Sequence, residues 1–75
     1  MARLSRKSVG ERLLVTMSGH LRGRDLRRLE RLCGPALEYE SPPLTLRMKS
    51  NTTTDDAARA FLDHLIDRGA LLLFD

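Results

Sequence analysis

The residues best suited to chemistry lie at positions 51–56, where the chain reads NTTTDD before an apolar helical pattern begins. Two adjacent carboxylates could form an acid–base pair or ligate a metal, but on a helix they point about 100° apart, so a shared ligand geometry is poor. Acidic side chains at a helix N-terminus complement the helix dipole, which explains the pair better. Thr53 or Thr54 can cap this helix, and Thr53 with Asp56 forms a near relative of the capping box.

The other reactive side chains are scattered. His20 and His64 have no metal-ligand spacing, and Cys33 completes an apolar helical stripe, which indicates a buried inert thiol. GHLRGRD at 19–25 has two glycines between a strand and a helix, but it lacks the lysine and the spacing of a phosphate-binding loop. We therefore expect a protein that is not an enzyme and that uses neither a metal nor another cofactor.

Length and composition limit the remaining classes. A chain of 75 residues suits a single domain over 1–75, whose core provides only about 3–5 kcal/mol of net stability. One cysteine excludes an internal disulfide and fits a reducing cytoplasm, and no apolar run approaches the length of a membrane span. Residues 1–50 hold 11 Lys/Arg against 5 Asp/Glu, whereas residues 51–75 hold 2 against 5. The basic part could attract a polyanion or an acidic protein surface.

Hydrophobic periodicity predicts the order β-β-α-β-α-β. Residues 12–18 and 44–48 alternate like strands with one polar face, and residues 2–8 are either a weak edge strand or a disordered basic tail. Helical stripes run from Asp25 and from the NTTTDD stretch, with Gly34-Pro35 expected to end or break the first and Gly69 to follow the second. The final ALLLF suits a buried strand. Crossovers between these strands predict a four-stranded mixed sheet with two helices packed on one face.

The order of these segments resembles the STAS domain (sulphate transporter and anti-sigma-factor antagonist), particularly its short bacterial members. The resemblance is carried by LLVTMSGHL, PLTLRM and TDDAARAFLDHLIDRGALL, and it covers nearly the whole chain. It implies a STAS-like α/β fold and a regulatory role in the bacterial cytoplasm. In family members that act in sigma-factor control, a Ser or Thr at the start of the second helix is phosphorylated, and the partner binds around that helix end.

This sequence departs from the family at that position. Aligned back from Gly69-Ala70, Asp55 falls on the family's Asp, Asp56 on the phospho-acceptor and Ala58 on a Gly. Asp56 can imitate a phosphorylated residue only in part, with one negative charge against about 1.5 to 2. The resemblance implies a protein partner, such as a sigma-factor regulator, that binds Asn51, Thr52, Thr53, Thr54, Asp55 and Asp56. The family's further helix after the last strand is missing here, so apolar surface could pair with a second copy to form a homodimer.

A basic helix face supports a different function. Four arginines lie opposite the leucine stripe of the first helix: Arg24, Arg27, Arg28 and Arg31. They could follow a phosphate backbone, which would make the chain a small nucleic-acid-binding protein. Glu30 interrupts the face and aromatic side chains for stacking are scarce, so a protein partner is the favoured interpretation.

Overall fold

The computed structural model describes residues 2–75. The long strands are β1 (Arg3–Val9), β2 (Arg12–Ser18), β4 (Leu44–Met48) and β6 (Leu71–Phe74), and two short strands are β3 (His20–Leu21) and β5 (Thr53–Thr54). The helices are α1 (Leu26–Leu37), which follows a 3-10 turn at Gly23–Asp25, and α2 (Asp56–Asp67).

The main sheet confirms the predicted architecture. Its strand order is β1-β2-β4-β6, with β1 antiparallel to β2 and the other two pairings parallel. Val15 lies opposite Leu46 and Met17 opposite Met48, which places the apolar alternating residues of β2 and β4 on one face of the sheet. The short strands β3 and β5 pair in parallel and form a separate two-stranded sheet beyond the ends of β2 and β4.

One face of the sheet and both helices share a single core. The core cluster consists of Ala2, Val15, Met17, Leu21, Leu29, Cys33, Ala36, Leu44, Leu46, Ala58, Leu62, Leu65 and Ala70. β2 and β4 provide its central layer, while α1 and α2 cover it from the same side. Since successive strand residues point to opposite faces, the polar residues between these positions lie on the uncovered face. There Asp75 pairs with Arg47 at 2.9 Å and with Lys49 at 3.2 Å, which lowers the pKa of its carboxyl.

The prediction that Gly34-Pro35 ends or breaks the first helix is wrong. Helix α1 continues through both residues to Leu37. Pro35 has no N–H to donate, so one carbonyl of α1 lacks its helical partner, but Pro35 is exposed and water can reach that carbonyl. Ala36 then packs in the core, with 3 % of its surface exposed. Burial of Ala36 favours one more helical turn over an early end.

The segment ALLLF forms a strand, as predicted, but the prediction that this strand is buried is wrong. β6 is the outer strand of the sheet, and Leu71, Leu73 and Phe74 are 54 %, 51 % and 73 % exposed. Only Leu72 packs against the core as a partly buried residue. The apolar run resembles a central strand in composition, but the topology places nothing from residues 2–75 on its outer side.

Neither helix could cross a bilayer, because no helix among residues 2–75 has both the length and the apolar character that a span requires.

Candidate functional site

The predicted partner-binding residues lie where the parallel strands β2 and β4 end. Carboxyl ends of parallel strands meet at one edge of a sheet, which is where α/β folds commonly place their sites. Here β3 and β5 extend that edge, with His20 opposite Thr53 and Leu21 opposite Thr54. The NTTTDD stretch therefore lies beside the GHLRGRD segment, although the two are far apart in sequence.

Hydrogen bonds hold the loop between β4 and α2 against β2 and β3. The Thr52 hydroxyl donates to the Met17 carbonyl at 2.9 Å, and that carbonyl also accepts the Lys49 N–H at 3.0 Å. The Thr53 N–H donates to the Gly19 carbonyl and the Asp55 N–H to the Leu21 carbonyl, both at 3.0 Å. The loop is thus fixed at three points, and its outer side chains have defined positions.

Asp55 joins α2 to the turn that precedes α1. One carboxylate oxygen accepts the Ala58 N–H at 2.9 Å and the other accepts the Gly23 N–H at 2.9 Å. These two backbone bonds favour the ionised form and lower the pKa of Asp55. A Cβ on Gly23 would lie 3.3 Å from Ala57 Cβ, so glycine permits this close approach of the two segments.

The predicted cap residue was wrong by one or two positions. The N-cap of α2 is Asp55, not Thr53 or Thr54, because both threonines are extended in β5. Pairing with β3 fixes their backbone before the helix begins, and the first helical residue is Asp56. The acidic pair does lie at the helix start, as the sequence indicated.

The six candidate residues divide by exposure. Asn51, Thr53 and Asp56 are exposed, whereas Thr52, Thr54 and Asp55 are half-buried. The anchoring bonds of Thr52 and Asp55 give these two a structural role. The surface that remains for a partner is therefore smaller than the sequence suggested.

His20 belongs to this surface, and the sequence did not indicate it. Its Nδ1 lies 2.7 Å from the Thr53 hydroxyl oxygen, and its ring is exposed. Such a pair shares one proton, with the donor set by the imidazole tautomer. Aligning the ends of β2 and β4 gives the parallel register of β3 and β5. That register would have predicted that His20 lies beside Thr53.

The arginine face is exposed along its full length. Arg24 lies in the 3-10 turn, and Arg27, Arg28 and Arg31 lie on α1. Arg28 also lines an open groove together with Arg3 and Lys49, and none of the residues that line this groove is acidic. The structure therefore adds Arg3 of β1 to the basic surface, which the sequence pattern of α1 alone did not predict, whereas the charge of Lys49 is paired with Asp75 at 3.2 Å.

The other reactive residues do not join either surface. Cys33 is fully buried on the inner side of α1, and burial raises the pKa of its thiol to about 11. His64 is exposed on α2. Across residues 2–75, no three His, Cys, Asp or Glu side chains are grouped in a way that could hold a metal ion.

Comparisons with models of known protein families, with curated proteins and with solved structures found no match to this chain.

Proposed function

We propose that this chain is a non-catalytic regulatory module of the STAS type that binds a protein partner in the bacterial cytoplasm. The partner surface is the exposed tip formed by Asn51, Thr53 and Asp56, with His20 beside it. One observation carries the proposal: Asp55 ties the start of α2 to the Gly23 turn through two backbone N–H groups. The tip is ordered before a partner arrives, so little conformational entropy is lost on binding.

Asp56 provides the charge of this surface. It is the first residue of α2 and is exposed. In the alignment that the resemblance implies, its carboxylate stands at the position of the phosphorylated Ser or Thr. The half-buried Asp55 carboxylate is already engaged with backbone N–H groups, so it does not compete for the partner. A partner that recognises this tip would offer Lys or Arg side chains to Asp56.

To test the proposal, a photo-crosslinking residue is incorporated at position 56 and the protein is irradiated in the cell that produces it. The proteins captured there are compared with those captured by the same residue at position 30, where Glu30 is exposed on α1. The protein captured at position 56 alone is then purified, and its affinity is measured by calorimetry. We expect Asp56→Lys to weaken binding at least tenfold, equivalent to about 1.4 kcal/mol, and Asp56→Ser to weaken it less. Glu30→Lys carries the same charge change and should leave the affinity within about twofold. Equal effects of the two lysine variants would contradict the proposed surface.

A second candidate function is supported by the groove that joins Arg28 to Arg3 and Lys49. In this alternative the basic face of α1 follows the phosphates of a nucleic acid. If Arg24, Arg27, Arg28 and Arg31 each neutralise one phosphate of duplex DNA, log K should fall with log salt at a slope of about −3.6.

Fluorescence anisotropy with a labelled DNA duplex measures this slope. Arg27→Glu with Arg31→Glu should abolish binding at low salt, whereas Arg59→Glu, on exposed α2 surface, should weaken it only modestly. Retention of binding by the double variant would exclude the arginine face as the site.

A further inference from the structure

The free edge of β6 is unusually apolar for an outer strand. Leu71, Leu73 and Phe74 are three of the five large hydrophobic residues that are exposed among residues 2–75. Outer strands normally carry a charge, a proline or a bulge that prevents pairing, and β6 has none of these within Leu71–Phe74. This edge is therefore competent to pair with another strand.

The backbone of β6 shows which groups are free. The Asp75 N–H donates to the Met48 carbonyl at 3.0 Å, so odd-numbered residues of β6 face β4. The N–H and C=O groups of Leu72 and Phe74 consequently point outward. The side chains of Leu71 and Leu73 lie on the uncovered face of the sheet with Thr45 and Arg47, while those of Leu72 and Phe74 lie on the helix side.

An apolar groove accompanies this edge on the helix side. Its walls are formed by β6, by the end of β4 and by α2, and the lining residues include Met48, Leu62, Ile66, Leu72 and Phe74. Arg59 and Asp63, one helical turn apart and opposite in charge, flank it on α2.

We propose that a second copy of this chain covers the edge, with two β6 strands paired antiparallel about a two-fold axis at Leu73. Leu72 then lies opposite Phe74 of the second copy, and each such pair exchanges two backbone hydrogen bonds. The outward groups of both strands are all paired in this register. The two four-stranded sheets become one eight-stranded sheet.

The side chains and helices fit the same symmetry. Phe74 covers Leu72 of the second copy in the groove, an aromatic–aliphatic cross-strand pair. The two α2 helices then lie on the same face of the joined sheet, on either side of the axis, and helices that pack side by side are about 8–10 Å apart. Since these helices are antiparallel, Arg59 of one copy approaches Asp63 of the other. The charges and the backbone donors and acceptors of this edge therefore complement those of a second copy of the chain, which favours self-association over an unrelated partner.

Cysteine crosslinking tests the register. In this register the two copies of residue 73 form a non-hydrogen-bonded pair on the two-fold axis, with Cα atoms about 4.5 Å apart. Two cysteines introduced by Leu73→Cys would therefore be within reach of a disulfide. Leu71→Cys has the same face and similar exposure, but its two copies would be separated by about 13 Å. Buried Cys33 does not compete. Under mild oxidation we expect a disulfide-linked dimer from Leu73→Cys at least tenfold faster than from Leu71→Cys or Val9→Cys; equal rates would overturn the proposal.

Sedimentation velocity over a concentration series tests association without crosslinking. A short interface of this kind is weak, so we expect wild-type dimers to accumulate between micromolar concentrations and about 1 mM. Leu73→Lys places two like charges on the axis and should abolish the dimers. Val9 is 53 % exposed at the opposite edge of the sheet, and Val9→Lys should leave the dimers intact. Arg59→Asp should weaken the dimer, and Arg59→Asp with Asp63→Arg should restore it. A wild-type protein that stays monomeric throughout, or a Leu73→Lys variant that still dimerises, would refute the interface.

Discussion

Replacement of Arg68 by Met should destabilise the domain far more than loss of a surface charge. The Arg68 guanidinium donates to the Leu37 carbonyl at 2.9 Å and to the Tyr39 carbonyl at 2.8 Å, so the end of α2 holds the end of α1. The first bond is half-buried and the second is exposed, for which we assign about 1.5 and 0.5 kcal/mol. A loss of about 2 kcal/mol lowers Tm by roughly 8–16 °C in a domain of this size.

Thermal melts followed by circular dichroism measure the effect. Arg68→Lys retains a cationic donor but lacks the planar guanidinium, so its Tm should lie between those of wild type and Arg68→Met. Arg31→Met, on the exposed face of α1, is the matched control and should stay within about 0.5 kcal/mol of wild type. A Tm for Arg68→Met equal to that of Arg31→Met would show that the bridge between the helix ends contributes nothing.

Three further outcomes follow from particular contacts. The pKa of Asp55 is lower in the folded than in the unfolded chain, so its ionised carboxylate stabilises the fold above the unfolded pKa of about 3.9. This stabilisation is lost as the pH falls toward the folded pKa. The difference in Tm between wild type and Asp55→Asn should therefore be constant near neutral pH and disappear below about pH 4. Cys33, with a pKa of about 11, should react with a thiol reagent at pH 8 only after urea unfolds the chain. Gly69 has φ of +111° and a Cβ there would meet Ser41 Oγ at 2.8 Å, so Gly69→Ala should cost about 1–3 kcal/mol in urea unfolding.

Alternation and helical stripes were sufficient to predict the sheet and both helices. Val15, Met17, Leu44 and Leu46 repeat every second residue, and all four are fully buried. That spacing determines which face is inside, and the chain order then leaves few ways to connect parallel strands.

The errors arose where local pattern does not determine environment. The run Leu71–Phe74 has the composition of a central strand, but whether a strand is central depends on neighbours that other segments supply. Thr53 and Asp55 are both good capping residues, and the choice between them was made by the pairing of β5 with β3. His20 joined the candidate site for the same reason, through a pairing between distant segments.

The strand order also has a consequence for how the chain folds. β2 meets β1 across the short turn at Gly10 and Glu11, but it meets β4 only after all of α1 has intervened. The hairpin can close early at small entropic cost, whereas the parallel contact must wait for a long loop to close. Substitutions that weaken the hairpin should therefore slow refolding, while those in the last strand should act mainly by accelerating unfolding.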